Sequence, residues 1–367
     1  MMTLNELLAR FQPDVEVIER GRQRQAAVWH GRKPDSLPIL VSGQLPADLK
    51  KLPRYNLKEC WYDREKMLWN ALLDMIAMCE AKSDGCPSMR ANLGCGVMAT
   101  VFGCRQLVFE DKMPWIHEHL SREAIDAADI SAAETKGDVP RVLDYMTFFR
   151  DRLGDKAHVY CADVQGPFDI AHLVYGDAIF TDMYDAPAFV HRLLDKCTNV
   201  YIAVTQAMKS VNGEAADQAY HYNGLYVERA GTRTSEDTTT LISPAQVREF
   251  ALPYTVRAFA PFRGGYVHYC GNGENLRHLF MAEPTVRGFN FGNPEMHDMP
   301  KVVGEIIASG RVYYGGWPRQ PEEGVRQYFR RVLKSLEGVR TGFIFTPTLR
   351  PEDGDRRRIV QLWRELQ

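Results

Sequence analysis

The last third of the chain alternates short apolar runs with amphipathic stretches, and this alternation restricts the fold more than any other feature. GGYVHYC (264–270), VRGFNFG (286–292), RVYYGG (311–316) and TGFIFTP (341–347) have strand composition. SPAQVREFALPYTVRAF (243–259), GENLRHLFM (273–281), MPKVVGEIIASG (299–310) and PEEGVRQYFRRVLKSLEG (321–338) have helical spacing, and a further helix ends the chain. Strands separated by helices pair in parallel, because a parallel crossover consumes about a helix's length of chain. No Gly-x-Gly-x-x-Gly follows the first candidate strand, LPILVSG (37–43), so the repeat points to a closed (β/α)8 TIM barrel rather than a dinucleotide-binding sheet.

The earlier part of the chain is compatible with the same plan. Residues 63–82 and 186–208 have helical periodicity, 138–154 reads as a helix with Asp138 as its cap and Pro140 in the first turn, and 157–166 reads as a strand. The stretch 84–103 suits a ligand-facing loop, and TRTSEDTTT (232–240) is a loop by composition. With 367 residues, 45% of them hydrophobic, one domain over 1–367 has ample core, and residues 1–36 are expected as an N-terminal extension packed on it.

The charges nearly cancel, 45 Lys and Arg against 47 Asp and Glu, so the chain has no broad field for a polyanion and nucleic acid is not an expected partner. The N-terminus lacks the pattern of a signal peptide, and no segment is long and apolar enough for a bilayer; cytoplasmic residence without membrane association is the expectation. Eight cysteines are too dilute for a disulfide scaffold.

Candidate chemistry gathers where strands end. His268 and Cys270 lie two apart in a strand and share a face, and imidazole with thiolate suits zinc, which needs at least one more protein ligand from Glu274, Glu295, His297 or Asp163, or from a residue reached only in the fold. The other reading of the pair is a buried thiol and a satisfied histidine at a strand end. Asp84, near Arg90 and Asn92, can steady positive charge or move a proton, or merely cap a turn. Asp163, Gln165, Asp169 and His172 follow the 157–166 strand in CADVQGPFDIAH, and His221, Asn223 and Asp237 complete the polar set.

DGCPSMRANLG, QGPFDIAHLVYGDAIFTDMYDAPAFVHRLLD, DTTTLISPAQVREFALPY and VHYCGNGENL with FNFG behind it resemble, in that order, the uroporphyrinogen decarboxylase superfamily. The resemblance runs from about residue 20 to the end. It implies a (β/α)8 barrel with the site at the carboxyl ends of the strands. It also implies one of two activities: decarboxylation, or zinc-dependent methyl transfer between corrinoid proteins and thiols.

For methyl transfer, the family's His-x-Cys matches His268 and Cys270, and zinc would hold a substrate thiol as thiolate. The third family ligand, a late cysteine, has no counterpart in TPTLR (346–350), and Glu295 is the expected replacement. Corrinoid would arrive on a separate partner protein. Asp84, His221 and Asp237 are then the expected catalytic residues, with Arg90, Asp163, Gln165, Asp169, His172 and Asn223 around a small-molecule substrate.

The alternative is a metal-independent carboxy-lyase, in which Asp84 matches the aspartate that holds pyrrole nitrogens and Arg90 or Arg22 grips carboxylate. Arg22 and Arg24 lie in the region of the family's arginine-rich segment, whose pattern is not reproduced, and Leu173 with His172 stands where decarboxylases carry a tyrosine. A noncatalytic binding protein on the same fold is the third reading. The family also allows a homodimer.

Overall fold

The computed structural model describes residues 2–367. Its strands are β1 (Ser88–Arg90), β2 (Gln106–Leu107), β3 (Trp115–Ile116), β4 (His158–Tyr160), β5 (Gln218–His221), β6 (Leu225–Glu228), β7 (Thr232–Ser235), β8 (Gly265–Tyr269), β9 (Val286–Phe291), β10 (Val312–Gly315) and β11 (Phe343–Phe345). β7 to β11 form one parallel sheet in sequence order, and β1 pairs in parallel with β4. Two bridges extend the ring: Gln165, just beyond β4, pairs with Ser235 of β7, and Ile39 pairs with Phe345 of β11. The Asp84 N–H donates to the Ile39 carbonyl at 3.0 Å and joins the last two positions. Eight strand positions thus close into a barrel.

Alternation along the strands sorts their side chains into two layers. Val267 and Tyr269 of β8, Phe289 and Phe291 of β9, and Phe343 and Phe345 of β11 point outward into the large core shared with the helices. Tyr266, Val312, Tyr314, Ile344 and Leu40 point inward, where they meet Val28 and Trp29. These last two end the helix Val15–Trp29, whose Trp29 indole donates to the Tyr226 carbonyl at 2.9 Å. The end of this helix therefore closes the barrel interior. Its approach is tight: a β-carbon on Gly21 would stand 2.6 Å from the Asp84 carbonyl oxygen, so only glycine fits there.

Helical readings transfer well. Arg64–Glu80 starts at Asp63, whose side chain accepts from the N–H groups of Glu65 and Lys66, and it buries Met67, Leu68, Leu72 and Leu73. The terminal helix Arg356–Glu365 buries Trp363 against Phe345, ring centroids 4.8 Å apart, and its indole donates to Leu37 O at 2.9 Å.

Three local expectations change, and one element is new. TRTSEDTTT is only partly a loop: Thr232–Ser235 is the barrel strand β7, polar because its inward residues face a charged interior. LPILVSG contributes a single bridge at Ile39 rather than a run of strand. Asp138 does not cap the helix Val139–Leu153 through its side chain, which accepts from the Gln106 amide at 2.9 Å. The new element is the antiparallel hairpin β5–β6, which turns through Asn223 at φ +61° and Gly224, an Asn-Gly pair between apolar residues that is a hairpin signal.

Asp84 also takes a different place from the one expected. It precedes β1, is 1% exposed, and its carboxylate accepts from Arg24 at 2.7 Å, Arg364 at 3.0 Å and the Ile39 N–H at 3.0 Å. It ties the N-terminal helix, the C-terminal helix and the barrel seam together, and does not line the mouth described below. Replacing it leaves Arg364 without a carboxylate and the buried Ile39 N–H without an acceptor, while Arg24 keeps Asp35, so Asp84→Ala is expected to cost about 1–3 kcal/mol. A lower urea midpoint, with zinc affinity retained by the folded protein, checks this.

Candidate metal centre and the barrel mouth

Inward alternation on β8 aims Tyr266, His268 and Cys270, just past its end, at the same interior. His268 is oriented from the neighbouring strand: its Nδ1 lies 2.5 Å from Asn290 Oδ1. The Asn290 amide in turn donates to the Tyr314 carbonyl at 2.6 Å, which leaves Oδ1 as the acceptor for the histidine. Nδ1 therefore carries the proton, and Nε2 presents a lone pair to Cys270 Sγ, 3.8 Å away.

Asp237 supplies the third donor. One of its oxygens accepts the Cys270 N–H at 2.5 Å, and donor atoms from Asp237, His268 and Cys270 all lie within 4.8 Å of one another. The loop bearing it is fixed by Asp169, a buried carboxylate that accepts from the N–H groups of Asp237 at 2.7 Å and Thr238 at 3.1 Å. Next to Asp237, Glu236 is buried and accepts from the hydroxyls of Thr239 and Thr255, both at 2.8 Å. Burial pushes its carboxyl up to about 7.

A thiolate, an imidazole and a carboxylate make a donor set for a borderline-soft divalent ion. Tetrahedral zinc with ordinary bond lengths separates sulfur from nitrogen by about 3.6 Å, against the 3.8 Å found between Sγ and Nε2. The residues fit zinc. Burial, then Asp237, pushes the Cys270 thiol up to about 11, whereas burial and Arg233 hold His268 below its ordinary value. At neutral pH the bare site thus holds a protonated thiol and a neutral imidazole.

The matching family model is uroporphyrinogen decarboxylase (URO-D), over residues 21–348. The chain belongs to the uroporphyrinogen decarboxylase family. Among solved structures it is similar to a methyltransferase from Methanosarcina mazei, at 16% identity and a TM-score of 0.66, with 94% of this chain and 97% of that one covered. That likeness is one of fold. No curated protein matches the sequence. Family membership, fold and donor cluster together make this chain an enzyme. No helix among the described residues is long and apolar enough to cross a membrane.

Within this family's barrel the other expected residues divide. Asp163 lies between Arg233 at 2.8 Å and Arg90 at 3.4 Å; burial would raise its carboxyl, but the two guanidiniums hold it well below the usual carboxylate range. His221 stands beside this group, its ring 5.3 Å from that of Tyr160, and burial with Arg233 and Arg90 keeps it neutral. Arg90 and Asn223 line a cleft of about 600 Å³. Gln165 is buried at the bridge to β7.

Three assignments are corrected. Glu295 lies outside the donor cluster: it sits in an exposed turn, where its Oε1 accepts from the Asn293 amide at 2.8 Å, and Asp237 is the third member instead. Asp169 and His172 are engaged within the protein. Asp169 is spent on backbone N–H groups, and both ring nitrogens of His172 are engaged, by Thr238 at 3.1 Å and Asp177 at 2.9 Å. Arg22 and Arg24 are occupied by Glu19 and by Asp35 with Asp84, so neither offers a free guanidinium. Asn290 and Arg233 were missed. The first shows in FNFG only once β8 and β9 are in register, and the second lay in a stretch read as loop.

Two outcomes follow for metal binding. Zinc should release about one proton, from Cys270, when it binds near pH 7.5; calorimetry in buffers of different ionisation enthalpy measures this. Asn290→Leu, which frees the imidazole to rotate, should weaken zinc about 10–100-fold in a chelator competition.

Proposed function

We propose that this enzyme transfers a methyl group between a small substrate and a thiol or corrinoid carrier at a metal held by Asp237, His268 and Cys270. The observation that carries this reading is the convergence of the three donors within 4.8 Å, with His268 fixed in the tautomer that presents Nε2. A divalent ion there would act as a Lewis acid, lowering the pKa of a coordinated substrate thiol so that it reacts as thiolate.

The chain's own residues orient and exclude. Asn290 and Tyr314 hold the imidazole plane, Asp169 holds the Asp237 loop, and the inward aromatic layer under β8 keeps solvent from entering from below. Asp163, Arg233 and His221 polarise the space beside the centre. Corrinoid, where used, would come on a partner protein at the strand ends, the side of such barrels where sites lie.

A second reading, a carboxy-lyase, is favoured by the family match itself, which speaks for decarboxylation more directly than for methyl transfer. Arg90 supports it too, as a cation in the mouth available to a carboxylate. It loses Asp84, whose oxygens are taken by Arg24, Arg364 and Ile39.

Metal content and turnover separate the two. The expected result is about one zinc per chain in tag-free protein and zinc-dependent methylation of 2-mercaptoethanol by free methylcobalamin, both lost in a folded Cys270→Ala variant. Protein that binds no zinc and releases CO2 from carboxylate substrates would instead establish the second reading.

A further inference from the structure

The cleft of about 600 Å³ is bounded by the helix Arg64–Glu80 on one side and by the ends of β1 and β4 on the other. Met67, Met75, Met78 and Leu57 give it an apolar wall, and Tyr160 and Arg90 form part of the opposite side. Of its three charged residues, Arg54 and Asp74 pair with each other at 2.7 Å, which leaves Arg90 as the uncompensated one.

Arg90 is loosely held. It donates no hydrogen bond among the described residues, and its nearest carboxylate, Asp163, is 3.4 Å away. Arg233 bonds one oxygen of that carboxylate at 2.8 Å, and its other nitrogen donates to the Ser235 hydroxyl at 2.8 Å. Arg90 can therefore turn to a ligand while Asp163 keeps its hydrogen-bonded partner. Two guanidiniums stand against one carboxylate here, with His221 kept neutral, so the Arg90–Arg233–Asp163 group itself carries one positive charge. With a divalent ion, the Asp237 carboxylate and the Cys270 thiolate of the neighbouring cluster sum to zero.

We propose that the cleft binds a monocarboxylate with an apolar body, its carboxylate on the Arg90 guanidinium and its body against the methionine wall and Tyr160. A guanidinium fork matches one carboxylate bidentately, and methionines adapt to an aromatic or aliphatic body. A polycarboxylate finds a single free cation here and would leave its remaining charges desolvated without partners. The charge balance rests on the metal reading given above; the Arg90 contact does not.

Calorimetry on the full-length, zinc-loaded protein tests this with 3-phenylpropanoate and its neutral isostere 3-phenylpropanamide. The carboxylate should bind at least about tenfold more tightly than the amide, the size of one charge-assisted contact. Arg90→Met should abolish that preference, and Arg90→Lys, which keeps the charge but not the fork, should reduce it. Cys270→Ala should lose zinc and keep the preference, so failure of the metal reading is visible separately. Equal affinity for the two probes, a preference that survives Arg90→Met in folded protein, or no saturable carboxylate binding overturns the proposal.

Discussion

A single hydrogen bond between neighbouring strands, from His268 Nδ1 to Asn290 Oδ1 at 2.5 Å, governs what this barrel mouth can do. An imidazole in water samples two tautomers and many orientations; this one is fixed in one of each because the Asn290 amide is itself held by the Tyr314 carbonyl. Strand register then does the rest. β8 beside β7 and β9 sets His268 opposite Ser235 and Asn290, so Cys270 and the Asp237 loop arrive at the same point. A pair two apart on one strand and an aspartate some thirty residues earlier become one donor set because the sheet is parallel and closed.

The same closure explains the charged interior. A barrel turns half of every strand inward, and around the site those positions are Arg233, Ser235, His268 and Asn290 rather than aliphatic residues. Such groups are costly to bury unless each finds a partner. Asp163 therefore sits between two arginines, Asp169 on two backbone N–H groups and Glu236 under two threonine hydroxyls. Beneath them Trp29, Tyr266 and Val312 seal the interior with apolar packing. The charged layer faces the mouth.

The barrel was legible in the sequence because helix and strand periodicities differ and the last third follows them cleanly. His268 and Cys270 were legible as a pair because they lie two apart in one strand. The third donor was not: nothing in the spacing of Asp237 relates it to Cys270, and only the register of β7 with β8 does. Asp84 misled for a related reason, since its motif resembles a family aspartate while its neighbours Arg24 and Arg364 come from the two ends of the chain. Polar β7 was hidden because strand patterns are recognised by apolar alternation, and a strand facing buried charge has little of it.

The proposed centre requires Asp237, His268 and Cys270 to hold one ion together. X-ray absorption at the zinc edge of zinc-loaded protein reports this directly. It should show a single sulfur scatterer at about 2.3 Å with nitrogen and oxygen at about 2.0–2.2 Å, and the sulfur shell should vanish in Cys270→Ser. A first shell without sulfur in the unaltered protein would contradict it.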